Sequence, residues 1–288
     1  MNRLAPPEIS TYLRRIGLHE IKAPTLEFLT ELQRAHVQHL SWQTLDIFAG
    51  RPAGITLEES VGLILQGRSG YCFHLNGAFS QLLHSLGYDV QWHRAGVQPH
   101  GQEPRVNSFH LGMSVLLPDS SPDAGRWIVD VGLGGMPYDP IPFRFGLYGT
   151  APFTYNLTPS SVAMEGWRLE YEPDGPSEGV DYAPEVVRDL GEFIPNHEFY
   201  SRSSDSPWHN VFLLRQRDGM QSNELRGCVL KTNDDNGIRK KELSSYSEWR
   251  EVLAEVFHEP MVRYSGLERE EMWRRVSAAH EEWKRANE

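Results

Sequence analysis

Only two cysteines, Cys72 and Cys228, occur in 288 residues, far too few for a disulfide scaffold or a cysteine-rich zinc site. In a reducing compartment each is a free thiol, so the question is whether either sits where a thiolate forms. No stretch approaches the roughly 20 consecutive apolar residues needed to cross a bilayer. The opening MNRLAPPEISTYLRRIGLHE lacks the continuous apolar run of a secretory leader, and a soluble, cytoplasmic protein without a membrane partner is expected. Positive charge is also scarce: 28 Lys and Arg stand against 39 Asp and Glu, a net charge of −11. Such a balance repels a phosphate backbone unless basic residues are locally segregated, which sets nucleic acid aside as a partner. The chain is 39% hydrophobic, with 8 Trp, 11 Tyr and 12 Phe, enough to bury one large core or several small ones.

Up to about residue 87 the pattern is helical. Leu26, Leu29, Val37 and Leu40 fall on one face after Pro24, and Thr56 with Glu59 forms a capping-box pattern ahead of Val61, Ile64 and Leu65. A third helix is marked by Cys72, Leu75, Asn76, Phe79, Leu82, Leu83 and Leu86 at helical spacing, with Gly87 as its stop. The period then changes to 2. Phe109 to Leu117 and Arg126 to Leu133 read as strands with a buried odd-numbered face, joined as a hairpin by the turn-rich stretch Pro118 to Gly125. Trp167 to Tyr171 and Val211 to Leu230 suggest further short strands. The segment from Ser247 to the end reads as helix, with Met272, Val276, Ala279 and Trp283 on one stripe.

Cys72 follows Arg68-Ser69-Gly70-Tyr71 and opens the third helix, where unsatisfied N–H groups and the positive end of the helix dipole favour a thiolate nucleophile. The competing reading is a small buried residue on a helix stripe. A thiolate needs a base, and a base needs a group that fixes its tautomer. His110 and Asp130 each occupy an even, less apolar position in a strand. If Val115 faces Gly125, His110 lies opposite Asp130 on the same face, and burial of Asp130 between Val129 and Val131 demands such a partner. A surface histidine and an aspartate capping the turn at Gly132 are the alternatives for the two residues taken singly.

Other patterns point elsewhere. Gly132-Leu133-Gly134-Gly135 lacks the spacing of a dinucleotide loop and reads as a turn with close backbone approach. Thr232 to Gly237 lacks the terminal glutamate of a calcium loop and reads as a hairpin turn. His36 and His39 have no facing cysteine or carboxylate pattern, so no metal is expected. Glu268 to Arg275 reads as a solvated helix face with paired charges.

Arg68-Ser69-Gly70-Tyr71-Cys72-Phe73-His74-Leu75-Asn76-Gly77, together with Asp130-Val131-Gly132-Leu133-Gly134-Gly135, resembles the arylamine N-acetyltransferase family. That family's nucleophile lies in Arg-Gly-Gly-Tyr-Cys-Phe/Tyr-Glu-x-Asn, with Pro-Phe-Glu-Asn-Leu-Asp before it and Asp-Val-Gly-Phe-Gly-Gly after it. Ser41-Trp42-Gln43-Thr44-Leu45-Asp46 occupies the earlier stretch here, and the likeness covers residues 9 to 150 best. The resemblance implies an α+β fold in three units. These are an N-terminal helical bundle with the nucleophile (1–88), a central antiparallel β-barrel with the histidine and aspartate (89–205), and a C-terminal α/β lid ending in a helix (206–288), around a cysteine-protease-like core. It carries the nucleophile onto Cys72, the base onto His110 and the orienting acid onto Asp130. It places Trp42, Val97 and Leu133 at the acyl and aromatic pocket and Gly134 where backbone approaches the cofactor. The implied donor is acetyl-CoA, the implied acceptor a small aromatic amine or hydrazine, and the implied mechanism ping-pong transfer through an acetyl-cysteine.

Four departures bear on specificity: Ser69 for a glycine, His74 for the usual glutamate, Trp42 for a phenylalanine and Gln43 for a glutamate. Trp42 and an imidazole at position 74 are expected to narrow the cleft beside the thiol. An amide synthase of natural-product assembly in the same family, a papain- or transglutaminase-like hydrolase or transferase, and a binding protein with a relic triad are the rival readings.

Overall fold

A computed structural model of the chain describes residues 1–117, 125–135, 137–172 and 175–287; all of the expected 118–125 connector except Gly125 lies outside them. The first helices are α1 (Pro6–Arg15), α2 (Leu26–His39), α3 (Leu45–Phe48), α4 (Leu57–Leu65) and α5 (Cys72–Ser85). Helix α2 starts where Thr25 Oγ1 accepts from the Phe28 N–H at 3.3 Å, and α4 starts at the reciprocal Thr56/Glu59 box. Gly87, at φ +100°, follows the end of α5 in a conformation that residues with a Cβ avoid. Helix α5 is buried on every side from Cys72 to Leu83 rather than along one stripe, because helices and a sheet surround it. The core around it includes Tyr12, Leu29, Phe73, Phe79, Leu111 and Val115.

Eight antiparallel strands form a nearly closed barrel in the order β5-β4-β3-β2-β9-β8-β7-β6. They are β2 (Asp89–Gln98), β3 (His110–Leu116), β4 (Arg126–Val129), β5 (Ile141–Pro142), β6 (Gly146–Thr150), β7 (Phe153–Pro159), β8 (Trp167–Tyr171) and β9 (Gly179–Val187). The alternation expected in β3 is replaced by burial on both faces. Its odd-numbered Leu111, Met113 and Val115 join the helical core. On the even-numbered face a Cβ at Gly112 would meet the Tyr182 ring, and Ser114 bonds to His93, both inside the barrel. Val115 opposes Trp127 rather than Gly125, a slip of two residues that preserves which side chains share a face.

A second sheet runs β1-β10-β11-β12-β13, with β1 (Trp42–Gln43), β10 (Leu213–Asp218), β11 (Gln221–Arg226), β12 (Val229–Asp234) and β13 (Gly237–Glu242). Strand β1 comes from the otherwise helical N-terminal region and pairs Trp42 with Arg215. Thr232 to Gly237 contains the expected hairpin turn, with Asp234 opposite Gly237. Helix α6 (Ile194–Arg202) follows the barrel. The continuous terminal helix expected from Ser247 is two helices, α7 (Tyr246–Glu255) and α8 (Gly266–Asn287), interrupted around Pro260, which has no N–H to give a helix. Met272 and Val276 pack with Leu214, Leu225 and Trp249 into a second core, whereas Trp283 is 60% exposed. Among the described residues no helix is long and apolar enough to cross a membrane, and no group of three His, Cys, Asp or Glu is arranged to hold a metal.

Candidate active site

Cys72 is the first residue of α5, with Tyr71 as N-cap. The helix is held against the barrel by Gly132, where an added Cβ would lie 2.9 Å from Cys72 Cα and 2.7 Å from Asn76 Nδ2. That close approach brings the start of α5 to the chain leaving β4, and so to Asp130.

Asp130 is fully buried and accepts four hydrogen bonds. Its Oδ1 takes Asn76 Nδ2 at 2.8 Å and the Gly132 N–H at 2.9 Å, and its Oδ2 takes His110 Nε2 at 2.6 Å and the Tyr182 hydroxyl at 3.0 Å. The pair meets diagonally across the sheet because of the two-residue slip. Asn76 also donates to the Leu111 carbonyl at 2.7 Å and accepts from the Val131 N–H at 2.9 Å, locking α5 to both strands. Burial pushes the His110 pKa down, but the Asp130 charge and hydrogen bond outweigh it, with a smaller contribution from Cys72, and the net shift is up to about 10. With Nε2 given to Asp130, Nδ1 is the nitrogen left for the thiol. Cys72 Sγ also points to the Phe109 carbonyl at 3.8 Å.

Helix α6 grips both sides of this pair. His197 bonds to the Tyr71 hydroxyl, next to Cys72. Asn196 Nδ2 donates to the carbonyls of Asn107 at 3.0 Å and Ser108 at 2.9 Å, just before His110, where Ser108 adopts a left-handed φ of 59°. An aromatic group extends outward. Trp208 stacks on Tyr200 at 4.4 Å between centroids and meets Tyr71 and Trp42 edge-on at 5.1 and 5.8 Å. Tyr200 meets Phe109 at 4.5 Å.

Of the residues expected at the pocket, Trp42 joins this aromatic group, with the Arg215 guanidinium 5.6 Å from its ring centroid. Leu133 and Val97 instead pack into the barrel-interior cluster. Gly134, at φ +78°, lies over Arg215 and borders a cavity of about 70 Å3 between the barrel and the second sheet. His74 does not narrow the cleft as expected. Its Nε2 donates to the Gly54 carbonyl at 3.1 Å and its ring packs edge-on against Tyr71, so the imidazole is directed to the loop before α4. Burial and the neighbouring His197 lower its pKa to about 4. Gln43 donates to the Ser69 carbonyl at 3.2 Å, so these two departures satisfy each other. Asn76 stood in the motif as a stripe residue, without its role being visible. Tyr182, Asn196, His197, Tyr200 and Trp208 gave no local signal, since each reaches the site from distant sequence.

A family model described as N-acetyltransferase matches residues 25–262. An arylamine N-acetyltransferase of Mycobacterium tuberculosis is 30% identical over 173 residues, 58% of this chain and 56% of that one. The proansamycin X synthase of Amycolatopsis mediterranei is 34% identical over 136 residues, 46% of this chain and 50% of that one. The matched stretch thus spans about half the length of these curated relatives. The fold is like that of Mycobacterium marinum arylamine N-acetyltransferase solved in complex with CoA, with a TM-score of 0.81 at 23% identity, covering 93% of this chain and 98% of that one. With the family model spanning most of its length, the chain belongs to the arylamine N-acetyltransferase family.

Proposed function

We propose that this protein transfers an acetyl group from acetyl-CoA to an arylamine or arylhydrazine through an acetyl-Cys72 intermediate, with His110 as base and Asp130 as its orienting acid. The observation that carries the proposal is the buried, fourfold-satisfied Asp130 holding His110 beside the first residue of α5. Cys72 passes its proton to His110 and attacks the thioester carbonyl. His110 returns that proton to the departing CoA sulfur, leaving acetyl on Cys72. His110 then takes a proton from the attacking amine, and Cys72 leaves as a thiol when the amide forms. Exchange between two sulfurs is nearly balanced, which suits a thiol nucleophile to a thioester donor. In this reading the functional units divide at 1–88, 89–205 and 206–288, Trp42 flanks the acceptor, Val97 and Leu133 back the pocket from the barrel, and Gly134 lets the donor approach backbone. Mass spectrometry after incubation with acetyl-CoA alone is expected to show one acetyl adduct, on Cys72. Its absence sinks the proposal.

The two thiols should also differ in reactivity. Burial and the nearby Glu242 raise the pKa of Cys228, and no imidazole is bonded to it among the described residues. Both thiols are buried, so the contrast rests on chemistry, and Cys72 should be alkylated by iodoacetamide at least about tenfold faster at pH 7. Equal rates, or faster labelling of Cys228, would remove the thiolate assignment.

A second reading, amide formation in natural-product assembly, is supported by the similarity to proansamycin X synthase. The acceptor decides between them. Stacking on Trp42 should contribute roughly 0.5 to 1.5 kcal/mol to a flat acceptor beyond its area burial. Trp42→Ala should therefore raise KM for arylamines by roughly two- to tenfold and widen tolerance for longer acyl donors. Acetyl-, propionyl- and longer acyl-CoA would be measured against aromatic and aliphatic amines in both proteins. An unchanged profile makes Trp42 a packing residue, and a wild-type preference for aliphatic amines or carrier-bound acyl chains favours amide synthesis.

A further inference from the structure

In a chain of net charge −11, one sheet face concentrates cations that no carboxylate neutralises. Lys231 on β12 and Lys240 on β13 are direct register partners, and like charges placed opposite one another on adjacent strands repel. The acidic neighbours are committed elsewhere: Glu224 accepts from Arg215 Nε at 2.6 Å, and Glu242 lies 2.9 Å from Lys284 Nζ and 3.2 Å from His280 Nε2. Among the described residues neither lysine has a carboxylate in ion-pair reach. Beside them a cavity of about 810 Å3 opens between this sheet and α8, floored by Phe212, Val229 and Val276 and walled by Trp283. That volume suits a small molecule. The Trp283 ring stacks on His280 with centroids 5.9 Å apart and is 60% exposed, an uncovered aromatic plane next to an uncompensated pair of charges.

We infer that this groove binds an aromatic phosphate of nucleotide type, its phosphate bridging Lys231 and Lys240 and its ring lying against Trp283. A bridging phosphate would turn the repulsion between the lysines into two charge-assisted contacts. The ligand could be the nucleotide end of the acyl donor or a free nucleotide. The small cavity at Gly134 shares Glu224 and Lys231 with this groove, which joins the two along one sheet face. Only the link to the donor rests on the acetyl-transfer reading; the groove itself does not.

The test is calorimetric titration of the full chain with adenosine 3′,5′-bisphosphate. One equivalent should bind, more weakly as salt rises. The Lys231→Gln/Lys240→Gln double variant should weaken binding about tenfold or more, and Trp283→Ala by roughly two- to tenfold. The double variant should melt no lower than wild type, because a repulsion has been removed, so lost binding would not reflect unfolding. Absence of binding by wild type, or equal affinity in wild type and double variant, overturns the inference. The sources separate by kinetics. If the donor's nucleotide end occupies the groove, the double variant raises KM for acetyl-CoA about tenfold relative to KM for a short acetyl thioester without the nucleotide. If a free nucleotide does, that ratio stays at its wild-type value while nucleotide binding is lost.

Discussion

Asp130→Asn should lower turnover by roughly a hundredfold or more while leaving the protein folded, and His110→Ala should lower it at least as far. The reason lies in the four donors around the carboxylate. Asn76 Nδ2 and the Gly132 N–H both point at Oδ1, and neither can become an acceptor in place, so the amide oxygen of an asparagine must sit there. Its NH2 then faces the Tyr182 hydroxyl, which can rotate to accept, and His110 Nε2, which can accept only by giving up its proton. The proton moves to Nδ1, the nitrogen left for Cys72, and the ring can no longer receive the thiol proton. The substitution also has a signature in stability. The His110 pKa is raised in the folded state, to about 10 from an unfolded value of about 6.5. Stability from this pair is therefore complete below about pH 6.5 and is lost as pH rises through about 10. The gap in unfolding free energy between wild type and Asp130→Asn should be widest near pH 6 and should narrow above about pH 10. Denaturant titrations across that range, with steady-state rates at pH 7, check both parts. Near-normal turnover in Asp130→Asn would make Asp130 structural and require another group to orient His110.

The legibility of this site in the sequence varied with the distance over which its contacts act. Local signals were reliable. The start of α5 at Cys72, the Thr56/Glu59 box, the stop at Gly87 and the 232–237 turn all depend on residues within a few positions of each other. The His110–Asp130 pairing was legible for a more forgiving reason. The register is two residues from the one expected, yet in a strand a slip of two returns every side chain to its own face, and the pair still meets, diagonally. A slip of one would have separated them. The burial of the even face of β3 was not legible, because it depends on barrel closure that brings Tyr182 from β9 under Gly112. Nor was the pairing of Trp42 with Arg215, which takes two residues from a helical stretch into a sheet formed far downstream. The clamp by Asn196 and His197 and the wall of Tyr200 and Trp208 are of the same kind. Polar and aromatic residues in a short, weakly amphipathic stretch carry no periodicity that distinguishes a site from a surface.

Gly132→Ala should be among the most damaging small substitutions in the chain, although it adds one methyl group and touches no proposed reacting atom. The new Cβ would lie 2.9 Å from Cys72 Cα and 2.7 Å from Asn76 Nδ2. One of these is backbone at the start of a helix buried on all sides. The other belongs to an amide engaged with Leu111, Val131 and Asp130. Neither can yield cheaply, so the chain after β4 and the first turn of α5 must separate by several tenths of an ångström. Overpacking of this kind costs about 1 to 3 kcal/mol. Separation also moves Cys72 away from the unit that holds His110, and small misplacements of reacting groups cost about a hundredfold in rate. Gly62→Ala supplies the comparison. Gly62 lies inside α4 with nothing nearer than 4.0 Å to an added Cβ, so alanine there should stabilise by about 0.5 to 1 kcal/mol and leave acetylation unchanged. Unfolding free energies and the rate of Cys72 acetylation by mass spectrometry, measured on both variants, give the answer. If Gly132→Ala loses stability but acetylates Cys72 at the wild-type rate, the contact is one of packing alone. If it loses neither, the approach of α5 to the barrel is not what sets the distance between Cys72 and His110.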